Sequence, residues 1–112
     1  MSDFAQNFAQ PPKEFWPFVR WWWPGLAVEH DQLSKELELL SEAGIGGVEV
    51  QPFLIGGSGG AKSEDCHRMA PNPFYYETLL HLLKEAKKRE MKVDMTFGSS
   101  WPPGSTEIGK SD

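Results

Sequence analysis

The chain has a single cysteine, Cys66, among its 112 residues, so no internal disulfide forms and a disulfide-stapled secreted scaffold is excluded. No apolar run approaches 18 residues, so no segment reads as a membrane span. Basic residues are few: 11 Lys and Arg stand against 16 Asp and Glu, a formal charge of −5. No basic cluster lies on an aromatic surface, which argues against nucleic acid as a partner. The opening MSDFAQNFAQ has neither a charged start nor an apolar stretch, so no secretory leader is read there. Lone-cysteine usage suits a reducing compartment, and a cytoplasmic location is expected if this end is native. What the chain does hold is aromatic residues, five of them Trp. Length and composition otherwise fit one small globular domain.

Residues 1–14 read as a polar, proline-interrupted lead-in, and 15–112 as one unit. FVRWWW, 18–23, is aromatic and β-branched and stops at Pro24-Gly25, so it reads as a strand. A helix follows over 28–43, with Leu33, Leu37 and Leu40 on one face and Gly44 placed for a left-handed cap. GVEVQPF, 47–53, is the second strand and 54–71 a loop. Asn72-Pro73 opens a helix over 72–90, as N-cap and first helical residue. Tyr76, Leu79, Leu80 and Leu83 are its expected buried stripe. Lys84, Lys87, Lys88 and Arg89 suit its C-terminal end. KVDMTF, 92–97, is the third strand, and 98–112 a turn-rich loop. Strands alternating with helices imply βαβ units and a parallel sheet.

Parity sharpens that reading. Arg20 and Trp22 share a face opposite Val19, Trp21 and Trp23; Glu49 and Gln51 oppose Val48 and Val50; Asp94 and Thr96 oppose Val93, Met95 and Phe97. A doubly wound sheet covered on both sides reads apolar on both faces. A closed barrel carries polar residues inward, toward its site end. The expected fold is therefore α/β, a parallel βαβαβ segment of a (β/α)8 TIM-type barrel, incomplete in this chain. Arg20, Glu49 and Asp94 become inner-face neighbours. Eight units take about 250 residues, so the chain reads as the opening part of a longer protein.

Candidate chemistry collects at the strand ends. Glu49, Gln51, Asp94 and Thr96 would bind sugar hydroxyls, hold a cation or do acid–base work; equally, Arg20, Glu49 and Asp94 form a structural ion-pair set, because buried charges are paired. Trp22 and Trp101 offer faces for a sugar ring, whereas Trp21 and Trp23 are expected in the core. The loop GGSGGAKS, 56–63, approaches a phosphate loop with Lys62 and Ser63. Ala61 occupies the last glycine position, however, and no helix follows, so it reads as an ordinary loop. Cys66-His67 lacks the further ligands a zinc site needs. His30 and His81 sit on helices with no nucleophile signature, so no triad is read and no metal site is assigned.

Three blocks in order, RWWWPG (20–25), EAGIGGVEVQPF (42–53) and FGSSWPPGS (97–105), resemble the start of the catalytic barrel in glycoside hydrolase family 106, the α-L-rhamnosidase-like enzymes. The resemblance covers about residues 11–106. It implies a (β/α)8 barrel and inverting hydrolysis of terminal α-linked sugars, which needs a general acid and a general base flanking a water. It places both carboxylates, and a calcium site, in later parts of the barrel. No catalytic residue is therefore assigned in this chain, and no cofactor within it. Trp22, Glu49, Gln51, Ser99 and Trp101 carry over as sugar-lining residues. SSWPPGS departs from the glycine-richer loop of relatives. The expectation is a hydrolase fragment supplying part of a sugar-binding wall, with a carbohydrate and the remainder of the barrel as partners, inactive alone. The alternatives are a small non-catalytic carbohydrate-binding module and a truncated product without activity.

Overall fold

A computed structural model describes residues 2–25, 27–53 and 73–96. Element order is α1 (Ser2–Ala9), a 3-10 turn (Lys13–Phe15), β1 (Phe18–Pro24), α2 (His30–Glu42), β2 (Gly47–Phe53), α3 (Pro73–Lys88) and β3 (Lys92–Met95). The protein is mixed α/β, with three parallel strands in one sheet, ordered β1-β2-β3.

The lead-in is more regular than its composition suggests. Phe4 and Phe8, one turn apart, stack with centroids 6.4 Å apart along α1, and Asp3 lies in its first turn, where an acid suits the helix dipole. Pro11 and Pro12 end the run. Lys13 then donates from Nζ to the carbonyl of Arg89 at 2.6 Å, and the Gly46 amide donates to Pro17 at 3.0 Å. These bonds tie the lead-in to the N-terminal end of the sheet.

The sheet has one register throughout: Arg20 lies opposite Glu49 and Glu49 opposite Asp94, while Trp22 lies opposite Gln51. Val48, Val50 and Trp23 point to the helix side and form one core with Leu33, Leu37, Tyr75, Leu82, Ala86 and Met91. Val19, Trp21, Leu40 and Val93 pack on its margin. The Trp23 indole N–H is buried with no hydrogen-bond partner among the described residues. Tyr75 is buried, and that burial, with Tyr76 beside it, raises its phenol pKa.

α3 corrects one expectation. The buried face is Tyr75, Thr78, Leu82 and Ala86; of the expected stripe Leu79 packs partly buried against the core, whereas Tyr76, Leu80 and Leu83 are 54%, 52% and 47% exposed. Both stripes keep helical spacing, one residue apart. The inward one carries Thr78, whose Oγ1 is 3.3 Å from His30 Nε2 across the helix pair, and the small Ala86. Close packing governs Gly47: a Cβ there would lie 2.6 Å from the Phe18 ring and 2.8 Å from the Lys92 carbonyl.

Candidate functional site

Alternation along parallel strands stacks like-parity residues into rows on the face away from the helices. The first row is Arg20, Glu49 and Asp94; the next is Trp22 and Gln51. Thr96 extends the second row, with its Oγ1 3.4 Å from Gln51 Nε2. Phe53, at the end of β2, shares the parity of Glu49 and Gln51.

Arg20 and Glu49 are in contact. One guanidinium nitrogen, Nη2, lies 3.0 Å from Oε1 and 3.1 Å from Oε2 of Glu49. The side chains remain 53% and 31% exposed, so the pair sits at the surface of this sheet. Asp94 is exposed and has no ion-pair partner among the described residues. The guanidinium carbon stands 5.8 Å from the Trp22 ring centroid, within cation–π range. Trp22 is 49% exposed and meets Phe53 edge-to-face, 5.5 Å apart and 82° between planes. Gln51 is buried at 3% exposure beneath this surface.

The result is a corner of two aromatic rings and one amide toward the C-terminal ends of β1 and β2, with the Glu49 carboxylate one row back at mid-strand. An exposed indole face takes the C–H face of a sugar ring, and carboxylate oxygens accept from hydroxyls. Of the residues expected to line a site, Trp22, Glu49 and Gln51 stand together. Ser99 and Trp101 lie outside the described residues, as do Lys62, Ser63, Cys66 and His67. Phe53 was not foreseen. Its signal was available, because it continues the odd-numbered parity of Glu49 and Gln51.

Among the described residues no group of three or more His, Cys, Asp and Glu side chains could hold a metal ion. Both Glu49 oxygens are engaged by Arg20.

On the helix side, Trp21 donates from Nε1 to Glu36 at 2.8 Å, and Gln32 to the other Glu36 oxygen at 2.7 Å. These contacts fix Trp21 structurally. A cavity of about 380 Å³ adjoins them, between β1 and the start of α2.

Sequence reasoning also missed a contact between helices. His81 Nε2 lies 2.8 Å from Ser34 Oγ and 3.0 Å from the His30 carbonyl. The carbonyl accepts from the Nε2-protonated tautomer, and Ser34 Oγ lies within hydrogen-bond reach of either tautomer. Ser34 in turn donates to the same carbonyl at 3.0 Å. The His30 and His81 rings stack 4.4 Å apart, as part of the helix seam.

No protein-family model matches the chain, and no curated protein matches it. Among solved structures it is similar to a rhamnosidase from Novosphingobium sp. PP1Y, with a TM-score of 0.69 and 24% identity over 93% of this chain. The chain spans only 9% of that protein's length, so the likeness is one of fold.

Proposed function

We propose that this chain is part of the barrel of a glycoside hydrolase of the α-L-rhamnosidase-like kind, where it supplies one section of the sugar-binding wall. The observation that carries this reading is the corner itself. Trp22 and Phe53 meet edge-to-face one row beyond Glu49, toward the C-terminal ends of parallel strands, the end at which (β/α) barrels hold their sites. The consecutive strand order and the fold likeness to a rhamnosidase support it.

In this reading the open part of Trp22 stacks on the ring and Glu49 accepts from its hydroxyls. The general acid and base of an inverting hydrolysis come from other parts of the barrel. The chain alone binds and does not cleave.

The test is a titration of the chain with methyl α-L-rhamnopyranoside, followed by saturation-transfer NMR and by tryptophan fluorescence. Weak saturable binding is expected, with loss of at least tenfold in affinity for Trp22→Ala, in the range of an aromatic truncated at a binding hot spot. Aryl α-L-rhamnoside is expected to stay intact under the same conditions. Binding that is absent, or indifferent to Trp22, overturns the sugar wall; cleavage by the pure chain overturns the placement of the catalytic acids elsewhere.

A further inference from the structure

Arg20 is more constrained than a surface arginine needs to be. An exposed pair with a carboxylate is worth little and leaves both side chains free to swing. Here the guanidinium has two tasks at once. Its Nη2 straddles the two oxygens of Glu49, at 3.0 and 3.1 Å, and its carbon lies 5.8 Å from the centre of the Trp22 ring. Trp22 is in turn held edge-on by Phe53. Two groups placed to meet a ligand, on separate strands, are thus coupled through one cation.

The consequence is geometric. Glu49 has three side-chain torsions, and a free carboxylate would have to be ordered whenever a hydroxyl bound. A single guanidinium nitrogen held between both carboxylate oxygens sets that orientation beforehand. The guanidinium carbon stands 5.8 Å from the Trp22 ring centroid, so the same cation borders the space in which a ring would stack.

We propose that Arg20 is the positioning residue of the aromatic–carboxylate corner: it fixes the Glu49 carboxylate and borders the Trp22 ring on which a ligand ring stacks. This rests on the sugar-wall reading above.

The test compares the full chain with Arg20→Met and Arg20→Lys, using methyl α-L-rhamnopyranoside as probe. Arg20→Met keeps an apolar stem and removes the guanidinium. It is expected to bind about 3- to 10-fold more weakly, the cost of ordering one or two loosened side chains. Arg20→Lys is expected to recover part of the loss, through its charge. The Trp22 indole N–H resonance, assigned from Trp22→Phe, is expected to shift in Arg20→Met and to move back partway in Arg20→Lys. Equal binding by wild type and Arg20→Met, with Trp22-dependent binding intact, overturns the positioning role and leaves the sugar wall standing. Absence of any Trp22-dependent binding in the wild type overturns both. Should Arg20→Met fail to fold, Arg20→Gln and Arg20→Lys carry the same comparison, and wild-type affinity in both overturns the role.

Discussion

Two helices here end in the same geometry on different residues. At the end of α2, Gly44 has φ +85° and the Ile45 amide reaches back to the Leu40 carbonyl at 3.0 Å. At the end of α3, Glu90 has φ +53° and the Met91 amide reaches back to Ala86 at 2.9 Å. Both are left-handed caps, and only glycine enters that region without steric cost. Glu90→Gly is therefore expected to stabilise the fold by about 0.5–1 kcal/mol, and Gly44→Ala to destabilise it by about 1 kcal/mol. Nothing lies within 4 Å of a Cβ at Gly44, so backbone strain alone sets that loss. Urea unfolding of the two variants checks both signs. Gly44 was readable because glycine announces a cap; Glu90 was not, because its residue type announces nothing. One turn before Glu90, hydrogen bonds from Lys88 and then Arg89 lower the Glu85 carboxyl from 4.5 to about 2. A depressed folded pKa contributes stability that is complete above the unfolded value, near 4.5, and is lost as pH falls toward 2. Surface pairs of this sort are worth about 0.3–0.5 kcal/mol each. The expected outcome for Glu85→Gln is a small loss at pH 7 that shrinks toward pH 2, read from melting temperatures across that range.

At the level of elements, alternation was the more reliable guide in strands and the less reliable in α3. A strand has only two faces, so one well-placed valine settles the rest: Val48 and Val50 go to the core, and Glu49, Gln51 and Phe53 take the other side. A helix has no such binary choice. In α3 two apolar stripes one residue apart both satisfy the spacing, and tertiary contact decides between them. His30, from α2, meets Thr78 and stacks on His81, which turns Tyr75 and Leu82 inward. Those contacts join residues about 50 positions apart, beyond the reach of local pattern. The expected signature is a large asymmetry between neighbouring leucines. Leu82→Ala, at a fully buried position, should cost about 2–5 kcal/mol, and Leu80→Ala under about 1 kcal/mol. Chemical denaturation of the two variants reads this directly, and equal losses would restore the outer stripe as the packed one.

At the scale of the whole molecule, what the sequence discloses is the parallel sheet and the separation of its two faces; what it withholds is how far each surface is finished. The parallel order follows from alternating strands and helices, and the polar face from parity. The corner was only partly legible: parity places Trp22 beside Gln51, but that Arg20 bridges Glu49 and Trp22 depends on side-chain reach across strands. The outer stripe of α3 is the clearest unfinished surface. Tyr76, Leu80 and Leu83 recur at helical spacing and are each about half exposed, an apolar strip of the kind that marks an interface. Within a larger barrel, neighbouring structure would lie close to such a strip. In the 112-residue chain it faces water, and burial of exposed apolar area drives association. The chain is therefore expected to self-associate with rising concentration, and the pair Leu80→Lys with Leu83→Lys to raise the association midpoint by about tenfold or more. Because neither leucine is in the core cluster, the melting temperature should hardly move. Sedimentation velocity over a concentration series, with circular dichroism on the same samples, separates the possibilities. Association unaffected by the two lysines would place the contact elsewhere, at the β1 edge, where Phe18–Pro24 pairs on one side only among the described strands and carries a single charge. A chain that stays monomeric throughout would show that this strip is tolerated in water without a partner.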